Sequence, residues 1–364
     1  MQANHWGDPL VRKSTITLAD GRELSYFGAI PARPGDYPDR RTLAPVRVDS
    51  QARSDRLLDE WVVIASHRQD RTFRPADDQC PFCPSAPGRL TEIPAPEYEV
   101  VVFENRFPTL PATIDGPAAG SEPRPPAGRC EIVCFSQDHN ASFADLTPAH
   151  AGTVMAAWLD RSAELARLPG VGQVYCFENR GQEIGATLAH PHGQIYAYPY
   201  VTARTARMLR TAADHWRATG RNLFDDVVAA ERERACRVVL DGSHWTAFVP
   251  YAAHWPYEVH VYPHRRVPDL AALSDEARSE FSDTYLDLLR RFDRLFGAPA
   301  PYVSGWHQAP VRAGREHFAL HLELFTIMRA PGKLKYLAGS ESGMGAFAND
   351  VTPEAAAQRL RDLA

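Results

Sequence analysis

Two stretches of the sequence repeat one order of predicted elements. Residues 130–154 (CEIVCFSQDHNASFADLTPAHAGTV) begin with an apolar, β-branched run, pass through a polar turn that contains His139 and end with helical periodicity. Residues 257–281 (YEVHVYPHRRVPDLAALSDEARSEF) have the same order around His264, 125 residues farther along the chain. This indicates either two copies of one folded unit or a chance similarity between unrelated segments.

A second pair of stretches favours duplication. The stretches are ATLAHPHGQIYA (186–197) and HFALHLELFTI (317–327). His321 falls opposite His190 at an offset of 131 residues, and Glu323 falls opposite His192. If the duplication is real, the second copy has a glutamate where the first has its second histidine. Chemistry that requires both histidines would then belong to the first half alone.

Strand-like and helix-like patterns are mixed along the chain. Short runs of β-branched and aromatic residues predict strands at WVVIAS (61–66), EVVVF (99–103), EIVCF (131–135), GQVYCF (172–177), GQIYAY (193–198), TAFVPY (246–251), EVHVYP (258–263) and HLELF (321–325). STITLADGRELSYF (14–27) predicts a hairpin, and helical periodicity occurs at 148–168, 203–218, 274–295 and 353–364. The mixture predicts an α+β fold with antiparallel sheets flanked by helices.

Length and composition suit two ordinary domains. The chain has 364 residues, of which 44% are hydrophobic, enough to build two cores. We assign residues 1–50 to an N-terminal arm, 51–202 to an N-terminal half and 203–364 to a C-terminal half. Proline and glycine predict an irregular surface loop between Pro108 and Gly128.

Charge and composition argue against several classes of protein. The formal charge of −5 gives no broad basic surface for nucleic acid. The N-terminal sequence lacks the apolar core of a secretory signal, and no later segment has the apolar length of a membrane span. Six cysteines are too few for a disulfide scaffold in a chain of this length. The sequence predicts a soluble, cytoplasmic protein that binds neither nucleic acid nor membrane.

A close cysteine pair, Cys80 and Cys83 in DQCPFCPS, is typical of half a zinc site. Alone it is compatible with zinc, with a redox pair or with two packed thiols. A tetrahedral site needs two more ligands, and the repeat makes His139 and His190 the best candidates. Without a metal, His139 would cap a turn and His190 would be a core histidine. The four residues together favour zinc.

The motif HPHGQ gives its two histidines different roles if His190 binds the metal. On a strand, His190, His192 and Gln194 point to one face because side chains alternate. His192 would then be a neutral imidazole, a good nucleophile when one ring nitrogen donates a fixed hydrogen bond. Such a nucleophile suits transfer at phosphorus, where Gly193 admits a phosphate and Gln194 donates to it. The alternative is a strand whose polar face carries these residues without a function.

HPHGQ resembles the motif of the galactose-1-phosphate uridylyltransferase family, a branch of the histidine triad superfamily in which glutamine replaces the third histidine. The resemblance runs from about Arg53 onward. Further matching segments are WVVIASHRQDR, CPFCP, VVFENRFPTL, CFSQDHN, CFENRGQEIGATLAHPHGQIYA, HWTAFVPYAAHWPYE, GWHQAP and LKYLAGSE. From these ordered matches the chain is identified as a member of this family.

The resemblance implies a fold, an activity and an assembly. The fold would be two duplicated histidine-triad-like units, with a catalytic, zinc-binding N-terminal half and a C-terminal half that completes the sugar and nucleotide site. UDP-glucose and galactose 1-phosphate would be converted into glucose 1-phosphate and UDP-galactose in the Leloir pathway of galactose catabolism. The reaction would have ping-pong kinetics through a uridylyl-histidine, in a homodimer with shared active sites.

The resemblance also assigns roles to particular residues. His192 matches the histidine that becomes uridylylated, and Gln194 matches the glutamine that binds phosphoryl oxygens. The matches to structural zinc ligands are Cys80, Cys83, His139 and His190. The matches to substrate-binding positions are Arg68, Arg71, Asn179 and Thr187 for the phosphates, Asn105 and Phe107 for uridine, and Lys335 and Glu341 for the hexose. Thr187 stands where the family often has serine, so a hydroxyl is retained.

The chain departs from the family at a second metal site. Some members bind iron or zinc there through one glutamate and three histidines. His307 and His321 match two of the histidines, but Glu323 occupies the third position and Met208 the glutamate position. Both a rebuilt site with Glu323 as a ligand and an empty site filled by hydrogen bonds remain open.

Two other functions remain compatible with the sequence. One is a related nucleotidyltransferase or phosphorylase that uses another nucleotide, such as an ADP-sugar. The other is a hydrolytic or non-catalytic nucleotide-binding relative. His192 argues against a non-catalytic site, and Gln194 argues against the ordinary triad hydrolases.

Overall fold

The structure is a computed structural model that describes residues 11–44, 50–70, 74–110 and 128–364. These residues form two compact units. The first comprises the described residues up to Cys176 together with 187–209 and 309–315. The second comprises residues 177–186, 210–308 and 316–364. Arg71 and most of the predicted loop from Pro108 to Gly128 lie outside the described residues.

Strands and helices are mixed in the α+β manner that the sequence predicts. In chain order the strands are β1 (Arg12–Thr17), β2 (Glu23–Gly28), β3 (Ser50–Asp55), β4 (Glu60–Ala65), β5 (Val100–Glu104), β6 (Arg129–Cys134), β7 (Gln173–Arg180), β8 (His192–Tyr198), β9 (Val238–Asp241), β10 (Trp245–Phe248), β11 (Tyr257–Pro263), β12 (Tyr302–His307), β13 (His321–Thr326), β14 (Met328–Ala330) and β15 (Lys333–Leu334). The helices are α1 (Pro148–Ala166), α2 (Ala203–Thr219), α3 (Leu223–Arg234), α4 (Asp275–Arg294), α5 (Gly339–Met344) and α6 (Pro353–Arg361).

The first unit contains an antiparallel sheet in the order β1-β2-β5-β6-β8. The predicted hairpin at its edge is formed by β1 and β2. Strands β6 and β8 pair with Cys134 opposite His192. Along β8, alternate residues from Gly193 to Ala197 are buried, whereas His192, Gln194 and Tyr196 are half-buried on the other face. This alternation places the polar residues of HPHGQ on one accessible face.

Helix α1 covers the sheet of the first unit and packs against β2, β5 and β8. It begins after Thr147, whose side chain accepts a hydrogen bond from the His150 amide, and Pro148 occupies the first turn. Trp158 of α1 stacks on Phe143 with ring centroids 5.7 Å apart. Burying a large apolar side chain of this kind contributes about 1.5–3 kcal/mol. The helix therefore holds the sheet from the face opposite the half-buried histidine.

The second unit repeats this plan. Its antiparallel strands lie in the order β12-β13-β11-β10-β9, and α4 follows β11 in the chain as α1 follows β6. Strand β11 pairs with β13 as β6 pairs with β8. Ser274 caps α4 by accepting a hydrogen bond from the Ala277 amide. The predicted duplication of an α+β unit is confirmed.

Several short elements escape the sequence patterns. Strand β12 (YVSGWH) contains Ser304 and Gly305, which weaken the β-branched signal, although its Trp306 is fully buried. Helix α3 (LFDDVVAAERER) is short and mostly charged, and its start depends on an Asn222 cap. Strands β3, β9, β14 and β15 and helix α5 are also absent from the predictions. Across the described ranges, the helices are too short or too polar to cross a bilayer.

Candidate active site

His192 stands at the start of β8 with a single fixed tautomer. Its Nδ1 atom lies 2.7 Å from the carbonyl oxygen of His190. A carbonyl oxygen can only accept, so Nδ1 carries the proton and Nε2 carries the lone pair. Burial lowers the pKa of the His192 ring, which keeps the ring neutral at neutral pH. The arrangement leaves Nε2 as the available nucleophilic atom.

Neighbouring groups hold this motif in place. The Phe135 amide donates to the carbonyl of Pro191 at 3.2 Å, which fixes the peptide between the two histidines. The Phe82 ring meets the His192 ring edge-on, with centroids 5.1 Å apart. Gln194 lies two residues farther along the same half-buried face. His192 and Gln194 therefore share a strand that is packed from several sides.

Four side chains in the first unit converge as a metal centre would require. The ligand atoms of Cys80, Cys83, His139 and His190 all lie within 4.8 Å of one another. The Cys83 Sγ atom is 3.5 Å from His139 Nδ1 and 3.7 Å from His190 Nδ1. Sulfur and nitrogen ligands of one tetrahedral zinc ion are separated by about 3.6 Å. The donor set and its spacing fit zinc.

The orientation of His190 is set by groups behind it. Its Nε2 atom lies 2.8 Å from the Ser136 carbonyl oxygen and 2.8 Å from the Tyr98 hydroxyl. Nε2 therefore donates to the carbonyl, and Nδ1 presents its lone pair to Cys83. Burial lowers the pKa of His190 to about 4, so the ring is neutral and able to ligate. Burial also raises the pKa of Cys80 to about 11, a penalty on the thiolate that a bound cation would offset.

Four of the predicted phosphate and uridine residues lie in the first unit, and one of them, Arg68, contacts β8. Arg68 lies on a 3₁₀ turn, Ser66–Asp70, and its Nη1 atom is 3.3 Å from the Tyr196 hydroxyl. Asn105 Oδ1 accepts a hydrogen bond from the Phe107 amide at 2.8 Å in the segment that follows β5. The Thr187 carbonyl accepts a hydrogen bond of 2.9 Å from the Arg74 amide.

The remaining predicted substrate residues lie in the second unit. Asn179 lies on β7, in the part that belongs to that unit. Lys335 and Glu341 are paired with each other, with Nζ and Oε1 2.8 Å apart. The hydrogen bond from Lys335 lowers the pKa of Glu341 to about 2. Both predicted hexose contacts are therefore charged and joined to each other.

A second buried cluster lies on β12 and β13. His307 is opposite His321 in the strand pairing, and Glu323 follows on the same face. The Nε2 atoms of His307 and His321 lie 3.4 and 3.5 Å from the Glu323 carboxylate oxygens. His321 Nδ1 donates to the Ala319 carbonyl at 2.9 Å, so Nε2 carries the lone pair. Within the described residues this Nε2 atom has no hydrogen-bond partner.

This spacing also suits a metal ion. Nitrogen and oxygen ligands of one tetrahedral ion are about 3.4 Å apart. The ligand atoms of His307, His321 and Glu323 lie within 4.8 Å of one another, and all three residues are buried. Burial alone would raise the pKa of Glu323, but the His307 and His260 rings lower it well below its usual range. The carboxylate is therefore ionised, as a cation ligand should be.

Strand β11 adds two residues to this second cluster. His260 is opposite Glu323, and its Nε2 atom lies 2.9 Å from Glu258 and 3.8 Å from Glu323. These three residues form a further group with metal-ligand spacing. Met208, at the position where the family has a glutamate, lies on α2. Sequence reasoning missed Glu258 and His260, although their alternation in YEVHVYP could have indicated them.

Comparison with known families covers both halves of the chain. Residues 40–202 match the model of the N-terminal domain of galactose-1-phosphate uridyl transferase, and residues 207–364 match that of the C-terminal domain. The chain belongs to the galactose-1-phosphate uridyl transferase family. The family predicted from HPHGQ is confirmed.

Individual relatives support the assignment to the galactose-1-phosphate uridyl transferase family. The galactose-1-phosphate uridylyltransferase of Streptomyces lividans is 50% identical, over 97% of this chain and 98% of the relative. That of Thermotoga maritima is 35% identical, over 86% of this chain and 98% of the relative. A solved structure described as uridylyltransferase superposes with a TM-score of 0.77 at 30% identity, covering 86% of this chain and 98% of that one.

Some residues that contact the predicted site residues belong to no sequence motif. Tyr98 and Ser136 hold His190, yet they lie 92 and 54 residues away from it in the chain. Tyr196 contacts Arg68 from β8. The only sequence signal for Tyr196 is its position, two residues after Gln194 in the alternating pattern that contains His192.

Proposed function

We propose that this protein converts UDP-glucose and galactose 1-phosphate into glucose 1-phosphate and UDP-galactose. As a member of its family it is a nucleotidyltransferase of galactose metabolism. The observation that carries the proposal is the tautomer of His192, whose Nδ1 donates to the His190 carbonyl at 2.7 Å. This is the form of imidazole that can attack phosphorus without first losing a proton.

In the first step, His192 Nε2 attacks the α-phosphorus of UDP-glucose. The bond from this phosphorus to the bridging oxygen breaks, and the oxygen leaves with the electron pair as part of glucose 1-phosphate. The uridylylated ring carries a positive charge, which the His190 carbonyl stabilises through Nδ1–H. A phosphate leaving group is weakly basic, so the step needs no strong general acid.

In the second step, a phosphate oxygen of galactose 1-phosphate attacks the same phosphorus. The phosphorus–nitrogen bond breaks, its electron pair returns to Nε2, and UDP-galactose leaves. Arg68, from the 3₁₀ turn Ser66–Asp70, and Gln194, from the half-buried face of β8, stabilise the phosphoryl charge in both steps. The roles of Arg71, Asn179 and Thr187 at the phosphates, of Asn105 and Phe107 at uridine, and of Lys335 and Glu341 at the hexose stay predictions from the family resemblance.

The metal of the first centre is proposed to be a structural zinc ion held by Cys80, Cys83, His139 and His190. The support is the thiolate and imidazole donor set, together with sulfur–nitrogen distances of 3.5 and 3.7 Å. When bound, zinc supplies folding free energy and no reactive group. His190 joins this centre to the nucleophile, since its side chain is a ligand while its carbonyl orients His192.

A second ion, iron or zinc, is proposed at His307, His321 and Glu323. The support is the buried Nε2 atom of His321, which lacks a hydrogen-bond partner among the described residues. Distances of 3.4 and 3.5 Å to Glu323 exceed those of good hydrogen bonds and suit ligands around one ion. A rebuilt site is therefore favoured over an empty one.

The protein is further proposed to be a cytoplasmic homodimer. None of the six cysteines forms a disulfide, as is typical of a reducing compartment. The β3–β4 hairpin exposes the side chains of Leu57, Leu58, Val62 and Ile64. Several apolar side chains exposed on one hairpin are the kind of surface that a partner copy would cover.

Intact-mass measurement tests the function directly. Incubation with UDP-glucose alone should add one uridylyl group, and labelled glucose 1-phosphate should exchange into UDP-glucose without galactose 1-phosphate. ADP-glucose serves as the comparison substrate. No added mass with UDP-glucose, or a larger yield of adduct with ADP-glucose, would overturn the proposal.

A further inference from the structure

Tyr196 continues the row of side chains that contains the nucleophile. His192, Gln194 and Tyr196 are successive residues on the half-buried face of β8. Residues two apart on a strand are separated by about 6.7 Å. The Tyr196 ring therefore extends from the same surface as the reacting imidazole, next to the amide of Gln194.

The Tyr196 hydroxyl contacts two other segments of the first unit. It lies 3.3 Å from Nη1 of Arg68 and 3.1 Å from Oγ1 of Thr109. A guanidinium can only donate, so the phenol oxygen accepts from Arg68. The phenol can then donate its own proton to Thr109. The hydroxyl thus joins Arg68 to Thr109 in one chain of hydrogen bonds.

Both of these segments are anchored next to β8. The His67 Nε2 atom lies 3.0 Å from the Pro108 carbonyl, which ties the 3₁₀ turn of Arg68 to the segment of Thr109. The Asn105 amide donates to the Cys130 carbonyl at 2.9 Å, and Cys130 is opposite Tyr196 in the strand pairing. The segment that starts at Asn105 is therefore fixed to β6 at one end and to Tyr196 near the other.

The chemistry of this anchor differs from that of an ion pair. A carboxylate would hold a guanidinium but would also cancel its charge. Among the side chains that the structure describes, none forms an ion pair with Arg68, so its charge is available for phosphate. A neutral phenol that accepts from one N–H orients the guanidinium and leaves its other donors free.

We propose that Tyr196 is a positioning residue for phosphate binding. Its hydroxyl holds Arg68 over the half-buried face of β8 and couples that guanidinium to the segment of Asn105 and Thr109. This inference rests on the proposed function, in which Arg68 binds the nucleotide phosphates. Tyr196 itself need not touch the substrate.

A double-mutant cycle tests this role, with the Kd for UDP measured by calorimetry as the main readout. Tyr196→Phe should raise the Kd for UDP about fivefold, because a hydrogen bond to a charged group is lost. In an Arg68→Ala background the same change should have less than about a twofold effect, because Tyr196 acts through Arg68. Tyr198→Phe, which removes the next hydroxyl on the same face, is the matched control and should change the Kd less than about twofold.

Two further measurements separate positioning from a merely structural role. Thr109→Val leaves Arg68 and Tyr196 in place but removes the acceptor of the phenol proton, and should raise the Kd about twofold to threefold. In turnover, Tyr196→Phe should raise the KM for UDP-glucose more than it lowers kcat, with an unchanged melting temperature.

Equal effects of Tyr196→Phe with and without Arg68 would overturn the inference, and so would an unchanged Kd. Intact-mass measurement on the wild type separates this failure from failure of the proposed function. If the wild type binds UDP but forms no uridylyl adduct, the function is wrong while the cycle still decides the role of Tyr196. If the wild type does not bind UDP, both are wrong.

Discussion

Strand β8 of the first unit and strand β13 of the second hold a histidine by the same local hydrogen bond. Nδ1 of His192 lies 2.7 Å from the carbonyl two residues earlier, and Nδ1 of His321 lies 2.9 Å from the carbonyl two residues earlier. In each strand the residue two positions later lies on the same face. It is Gln194 in the first unit and Glu323 in the second.

The two histidines differ in what surrounds Nε2. His192 is half-buried and followed by a neutral amide, whereas His321 is 0% exposed and lies 3.5 Å from a carboxylate. Burial lowers the pKa of both rings, to about 4 for His321. A fixed neutral tautomer is therefore common to both units. In the proposed function, access and an uncharged neighbour suit His192 to act as a nucleophile, whereas burial beside a carboxylate suits His321 to bind a metal.

Replacing either His192 or His321 by asparagine tests this comparison, and the first replacement has the largest expected effect. His192→Asn should reduce formation of the uridylyl-enzyme by at least about 10³-fold, because no nucleophile remains. His321→Asn should leave this step within about threefold of wild type while lowering metal content and melting temperature. Rapid-quench intact mass measures the first effect. Equal loss in both variants, with folded protein, would contradict the division of roles.

Removing a metal ligand tests the proposed zinc centre of the first unit. Cys80→Ser should abolish zinc binding at the first centre and lower the free energy of unfolding by about 4 kcal/mol, since a structural ion contributes folding free energy. Elemental analysis and a melting curve measure both effects. Cys236→Ser, at the exposed cysteine, is the control and should change neither. Unchanged zinc content in Cys80→Ser would show that this cluster is not the zinc site.

Giving the first unit the carboxylate of the second tests the role of the neutral neighbour. Gln194→Glu should slow uridylylation about 100-fold. A carboxylate repels the phosphoryl group, and it favours the protonated form of His192, which cannot attack phosphorus. Gln194→Ala, which only removes a donor, should slow it about tenfold. Single-turnover kinetics measure both rates. If glutamate is tolerated as well as alanine, the charge at this position is unimportant.

A smaller effect should appear in the pH dependence of stability of the second unit. Glu178 is buried, accepts a hydrogen bond of 2.9 Å from Tyr302, and burial raises its pKa to about 8. Its unfolded pKa is about 4.3, so ionisation in the unfolded state lowers stability as pH rises from there toward 8. In Glu178→Gln, the fall in the free energy of unfolding over this pH range should be smaller by at least about 1 kcal/mol. Denaturant melts of both proteins at several pH values measure it, and parallel curves would refute a neutral Glu178.

The sequence predicts those features that local pattern or short spacing encodes. Alternating and β-branched runs mark the paired strands, and the long helices show their periodicity directly. The Cys80–Cys83 pair and HPHGQ are short motifs whose residue types limit the possible chemistry. The repeat then indicated which distant histidine, His139, belongs with them, and the structure brings these residues together.

Features that depend on tertiary contacts could not be predicted in this way. Tyr98 reaches His190 across 92 residues, and its ring carries no signature beyond that of an apolar aromatic residue. His260 meets Glu323 only because β11 pairs with β13 in a particular register. The hydrogen bond from His192 to the preceding histidine's carbonyl depends on a ring rotation that sequence spacing does not determine.

His190 makes two different contacts, one with its side chain and one with its backbone. Its Nδ1 atom lies 3.7 Å from Cys83 Sγ, and its carbonyl oxygen accepts a hydrogen bond of 2.7 Å from His192 Nδ1. Redesign of this protein is constrained accordingly. A variant that is stable without metal must hold residue 190 in place by other contacts. A displacement of this residue would rotate the His192 ring and also weaken the packing around Cys83. Robustness and reactivity cannot be tuned separately at this position.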